Sequence, residues 1–132
     1  MCLSDVKAVI KEFTLYDSSH KVLVRDISGG FWIGYRTTAS NQTQGTTHFD
    51  VNVIRGVFFI LSIELDQEHR GKGHGAALYK LLEQMARRLN CHQVQMTPSG
   101  RTPSGESRES YLLRRGYEKF GAEVIKVIDQ TC

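Results

Sequence analysis

The 132-residue chain is 40% hydrophobic and 23% charged, which fits a single domain, residues 1–132, around one core and excludes wholesale disorder. Its formal net charge of +3 mildly favours an anionic ligand and is too small to argue for nucleic acid. Three widely spaced cysteines (Cys2, Cys91, Cys132) make no disulfide framework. With no signal-peptide pattern and no apolar run near the ~20 residues of a membrane span, the expected setting is a reducing cytoplasm.

In chain order, 6–16 carries β-formers with partial alternation and reads as a strand, followed by a turn at "DSSH". Val22 and Val24 alternate with charged neighbours over 21–27; "SGG" turns the chain, and 31–38 is the return strand of a hairpin. The polar stretch 39–47 is a loop. Phe49, Val51 and Val53 alternate against His48, Asp50 and Asn52, and an apolar run follows at 57–65. These two stretches are either one long strand bulged at Gly56 or the two arms of a hairpin.

The clearest helix comes next. Leu78, Leu81, Leu82, Met85, Ala86 and Leu89 recur at three- and four-residue spacing, and Asn90 is a stop signal. Val94 and Met96 alternate inward in a strand over 92–96. A loop holds both prolines at 97–107, a short helix over 107–116 ends at Gly116, and 117–128 closes with strand character. The order β-β-β-β-α-β-α-β predicts an α/β (α+β) domain. Its central sheet is mixed and mostly antiparallel, with one parallel β-α-β unit at 57–96.

Between that parallel strand and its helix lies "HRGKGHG", residues 69–75. Glycines let a ligand approach the backbone without a Cβ in the way. Amides at a helix N-terminus lack intrahelical partners and meet the positive end of the helix dipole, so the segment suits an anion, most often phosphate. Arg70 and Lys72 add full charge. A glycine-rich turn with no ligand would read the same. A P-loop is excluded because no Ser or Thr follows Lys72. Gly71, Gly73 and Ala76 fit dinucleotide-loop spacing, but the next strand ends in "QMTPSG" without the acid that would hold a ribose. The histidines and cysteines show no metal-ligand spacing.

"LDQEHRGKGHGAALYKLL" resembles the acyl-CoA-binding motif of the GNAT N-acetyltransferase superfamily, [RQ]-x-x-G-x-[GA], matched by Arg70, Gly73 and Gly75. "YLLRRGYEKFG" resembles that family's helix-to-strand signature, and "DISGGFWIGYR" its second-to-third-strand hairpin. The resemblance spans about residues 21–128. It implies the GNAT fold, with the N-terminal helices reduced or absent, and transfer of acetyl from acetyl-CoA to an amine by direct attack. Backbone amides from Gly71 to Ala76, with Arg70, Lys72 and His74, would hold the diphosphate. Leu65, Asp66 and Gln67 would line the pantetheine arm, and the acetyl carbonyl would sit where this strand splays from the one at 92–96.

Two departures from the family pattern bear on the chemistry. The family's tyrosine four residues before the Gly-aromatic pair, which protonates the leaving thiolate, is replaced by Leu112. Tyr111 is the candidate acid one helical step away, about 100° round the helix, and Tyr117 is a weaker substitute. The family's asparagine in the preceding loop is also missing, with Ser104 and Ser107 as alternative cofactor contacts. Glu64 is the first candidate base, since burial in an apolar strand would raise its pKa; Glu68, His69, His48 and Asp50 are others. Only "DSSH" separates the first two expected strands, so the acceptor side should be open, completed by 39–47 or by a second subunit of a homodimer. The acceptor is an amine on a small molecule, a peptide or a protein. A non-catalytic acyl-CoA-binding or regulatory module is the alternative, and neither nucleic acid nor membrane is expected as a partner.

Overall fold

The computed structural model describes residues 3–11, 19–38, 48–64, 74–99 and 105–128. A helix, α1 (Leu3–Lys11), precedes a meander of β1 (Ser19–Ile27), β2 (Gly30–Thr38), β3 (His48–Ile54) and β4 (Val57–Glu64). Helix α2 (His74–Arg88) leads to β5 (Gln93–Met96). Helix α3 (Arg108–Arg114) leads to the closing hairpin of β6 (Glu118–Phe120) and β7 (Glu123–Val127). One sheet carries all seven strands in the order β1-β2-β3-β4-β5-β7-β6. Every neighbouring pair is antiparallel except β4 with β5. The α2 crossover supplies that parallel pair, as the strand–helix–strand pattern at 57–96 predicts.

Three local readings are resolved or corrected. The segment read as a first strand forms α1 as far as Lys11, and 12–16 lies outside the described residues. Val6, Val9 and Ile10 fall at helical spacing and are all buried, so packing of one helical face overrides the β-preference of valine and isoleucine. The stretches 48–54 and 57–65 are the arms of a hairpin. Arg55 and Gly56 both take positive φ, 52° and 80°, as a two-residue type I′ connection requires. The segment 117–128 is also a hairpin, turning at Gly121 and Ala122. The polar loop at 39–47 lies outside the described residues.

The helices share one face of the sheet. Val6, Val9 and Ile10 of α1, Leu78, Leu82, Met85, Ala86 and Leu89 of α2, and Leu112 of α3 join one buried cluster with Val24, Ile33, Phe49, Val51, Phe58, Ile60, Val94 and Val124 from the strands. Full burial of each large aliphatic side chain in such a cluster contributes about 2 kcal/mol. The alternate strand positions form the other face, on which none of the three described helices packs. Leu23, Phe120 and Val127 stand exposed there.

Both long-range helix ends are capped. Asn90, at φ 62°, closes α2: its own amide donates to Arg87 O, and the Cys91 amide reaches back to Ala86 O at 2.9 Å. Gly116, at φ 98°, closes α3 in the same way. Its amide donates to Leu113 O, and the Tyr117 amide donates to Leu112 O at 3.1 Å.

Candidate active site

The β4–β5 ladder is short. It runs from Val57↔Gln93 to Ile60↔Met96 and stops, while β4 continues to Glu64. Here β4 also departs from regular pairing with β3. Asp50 faces Ser62, but Val51 faces Ile60, so Leu61 is an additional residue on β4. A bulge of this kind bends the strand and increases its twist. Past Ile60 the fourth strand therefore leaves its parallel neighbour, opening the sheet beside the β4 end that leads toward α2. The β4–β5 ladder ends where the splay is expected, and the bulge lies at Leu61 rather than Gly56.

The bulge preserves the two faces of the sheet. Phe49 and Ile63 stay on the helix-bearing side, whereas Asp50↔Ser62 and His48↔Glu64 lie on the helix-free side. Asp50 accepts hydrogen bonds from Ser62 Oγ at 2.8 Å and Arg36 Nη2 at 3.3 Å. His48 Nε2 lies 3.8 Å from Glu64 Oε2. The apolar burial expected for Glu64 from its strand is not found: the side chain is 57% exposed. The grouping of Arg36 and Ser62 around Asp50 has no signal in linear spacing, because it follows from the register of three strands.

On the helix-bearing side, α2 and α3 meet through aromatic and charged side chains. The Tyr111 ring lies 5.8 Å from that of Tyr79, and the guanidinium groups of Arg114 and Arg115 stand 5.6 Å and 5.9 Å from it. Arg108 Nη1 donates to the Tyr79 hydroxyl at 2.9 Å. Burial pushes the Tyr79 phenol up, with the Arg108 charge opposing. Leu112, at the position where the resembling family has its tyrosine, is fully buried, while Tyr111 packs against the rim of the core.

Below this junction lies Glu83, a buried carboxylate of α2. It accepts from Lys126 Nζ at 3.0 Å, Tyr117 Oη at 3.1 Å and Arg115 Nη2 at 3.4 Å. Arg115 thus turns inward rather than into solvent. Burial, and after it the Glu83 carboxylate, pushes the Tyr117 phenol far above its ordinary value, so Tyr117 is tied into this network and poorly suited to give up a proton. Ser107 is likewise committed: it caps α3, accepting from the Ser110 amide at 3.2 Å. Arg114 is anchored to Glu106 at 2.7 Å, and hydrogen bonds from Arg114 hold the Glu106 carboxyl below its usual range.

Of the residues predicted from sequence, Leu65, Asp66, Gln67, Arg70, Gly71, Lys72 and Gly73 lie outside the described residues, as do Glu68, His69 and Ser104. His74, Gly75 and Ala76 form the first turn of α2, which contains no acidic residue to oppose an anion at the helix N-terminus. Glu64 stands with His48, and Tyr111 with Tyr79. The Arg108–Tyr79 and Glu83 contacts were missed; Glu83 alone had a signal, as a charge flanked by the apolar positions of the α2 stripe. Among the described residues no group of side chains could hold a metal ion, and no helix is long and apolar enough to cross a membrane.

The sequence profile of the acetyltransferase (GNAT) family matches residues 9–121. No curated protein matches the chain. Among solved structures the chain is similar to the PaiA N-acetyltransferase of Thermoplasma acidophilum in complex with coenzyme A, at 14% identity and a TM-score of 0.53, over 74% of this chain and 61% of that one. It is similar to nourseothricin acetyltransferase, at 13% identity and a TM-score of 0.56, over 98% and 96%. An acetyltransferase of Bacillus cereus matches at 12% identity and a TM-score of 0.54, over 95% and 86%. At these identities the likeness is one of fold. The family profile, covering most of the chain, agrees with the splayed parallel pair and the strand-to-helix glycine loop: this chain belongs to the acetyltransferase (GNAT) family of acyltransferases.

Proposed function

We propose that the chain transfers an acetyl group from acetyl-CoA to an amine by direct attack within a ternary complex. The observation that carries this reading is the end of the parallel ladder at Ile60↔Met96, beyond which β4 runs on to Glu64 paired with β3 but no longer with β5. Beyond that ladder the β5-facing edge of the strand offers backbone amides and carbonyls to which the amide groups of a pantetheine arm can bond. The residues present fit the group. Leu65 to Gln67 follow β4 in the sequence and would bond the arm by main chain. Gly71 to Ala76 would present amides to the diphosphate at an N-terminus free of acidic side chains, with Arg70, Lys72 and His74 adding positive charge. When bound, acetyl-CoA supplies a thioester whose carbonyl carbon is open to nucleophilic attack.

The chain's own residues then have three tasks. They align the amine with that carbon. Tyr111, held on the α3 face beside Tyr79, gives its phenolic proton to the departing thiolate as the carbon–sulfur bond breaks. The attacking nitrogen must lose a proton, and Glu64 with its neighbour His48 is the group assigned to take it, directly or through water. Those two residues lie on the helix-free side, so the amine would enter there, at the β4 end. The acceptor is a small molecule, or a peptide or protein amine.

Full burial of Leu112 favours a second reading, in which the chain binds acyl-CoA without chemistry. Thiol release separates the two. Mixed with acetyl-CoA and a panel of primary amines, the protein should release free coenzyme A thiol in an amine-dependent manner. Binding of coenzyme A without thiol release from any amine would leave the non-catalytic module.

A further inference from the structure

We propose that the face of the sheet on which none of the described helices packs is a dimer interface that takes a second copy of this chain, related by a two-fold axis along β4. The argument is independent of the acyl-transfer reading.

The strand registers place one row of side chains straight across this face. At its centre is Phe59 of β4, the fourth of seven strands. Asn52 of β3 stands beside it on one hand and Gln95 of β5 on the other. Beyond these amides come two apolar residues, Trp32 of β2 and Ile125 of β7. The row ends at Arg25 on β1 and at Glu118 on β6. The chemistry therefore reads the same from either edge, except that the charge changes sign.

That exception is what a two-fold needs. In an isologous contact, residue i of one copy meets residue j of the other, and j meets i. Rotation about an axis along β4 lays β1 over the partner's β6 and β2 over its β7. Arg25 then meets the partner's Glu118, Trp32 the partner's Ile125, Asn52 the partner's Gln95, and Phe59 its own mate. Each opposition is of compatible type, and the charged one occurs twice. Two such sheets would stack about 10 Å apart with strands aligned within about 30°.

The surrounding surface agrees. A neighbouring row runs through Ile54, Val57, Gln93 and Val127, again rich in apolar groups, and Val127 is 77% exposed. Arg25 already lies over the Trp32 ring, 5.4 Å from its centroid, which holds the cation at the edge of the apolar patch. Asp50, Ser62 and Glu64 lie beyond the row at one end of β4, so the proposed acceptor entry falls at the rim of the interface.

The test is sedimentation equilibrium over a micromolar dilution series. The unmodified chain should associate to a dimer. Phe59→Arg brings two cations together at the axis and should give a monomer whose far-UV circular dichroism is unchanged. Arg25→Glu and Glu118→Arg should each raise the dissociation constant about tenfold, since each exposed attraction becomes a repulsion at two places. An equimolar mixture of these two variants should recover association, because both opposed pairs are then attractive again. A monomer at every concentration, a dimer that survives Phe59→Arg, or charge-reversed variants that do not recover on mixing would each overturn the proposal.

Discussion

Glu83 is a charge in a place where charges are costly, and three donors around it explain its presence. Removing it as Glu83→Ala would leave Lys126 and Arg115 facing a vacated site. Loss of one partner from a fully buried pair costs ~3–5 kcal/mol, and because both cations are about a quarter exposed, the expected loss here is nearer 2 kcal/mol. Urea unfolding should show it as a lower midpoint with an unchanged slope; no shift would mean that the network contributes nothing to stability. Cys91 carries a pH prediction. Burial pushes its thiol up to about 12 from an ordinary 9.0, and burial likewise raises Tyr117 from 10.0. The folded chain holds these protons after the unfolded chain has released them, so the stability they confer is complete below about pH 9 and falls as pH climbs above it. Unfolding free energies should hold level up to about pH 9 and decline above it, and Cys91 should resist thiol reagents in the native protein at pH 8. A rapidly labelled Cys91, or stability that rises with pH in that range, would contradict the assignment. For the chemistry, Tyr111→Phe should lower kcat at least about tenfold, as loss of a general acid does, with little change in coenzyme A affinity. Full activity would remove Tyr111 from the mechanism.

Elements differ in what held them legible. The α2 helix was plain because its apolar residues repeat at three and four over four turns and Asn90 marks its end. The β1–β2 hairpin was plain from alternation on either side of two glycines. α1 was not, because its buried residues are valine and isoleucine and the segment is short; only tertiary contact shows which period governs. Gly121 marked the last turn, but a β-rich run on both sides disguised it. The α3 helix depends on its C-terminal cap. Gly116 sits at φ 98°, where a side chain strains the backbone even though a Cβ would meet only Lys126 at an ordinary 3.7 Å. Gly116→Ala should therefore destabilise the protein by roughly 1 kcal/mol through conformation alone. Thermal melting checks this; an unchanged or raised Tm would show that the cap is not required.

At the scale of the molecule, a mixed, mostly antiparallel sheet with a single parallel pair was readable from the order of patterns, because parallel neighbours need a crossover connection; the seven-strand order was not, because α1 and the closing hairpin both read as single strands. The candidate site was readable only in part. The glycine loop has a local signature, whereas the Leu61 bulge, the setting of Asp50 between Arg36 and Ser62, and the exposure of Glu64 arise from registers between distant segments. The one-sided placement of the helices was equally hidden, since it depends on where α1 packs. Everything functional rests on the loop before α2 receiving the diphosphate of coenzyme A. Calorimetric titration of coenzyme A into the unmodified chain and into Gly73→Asp tests this most directly. The account predicts saturable binding to the first and its loss in the second, where a carboxylate would enter the anion site. No binding by the unmodified chain, or equal affinity in both, would contradict it.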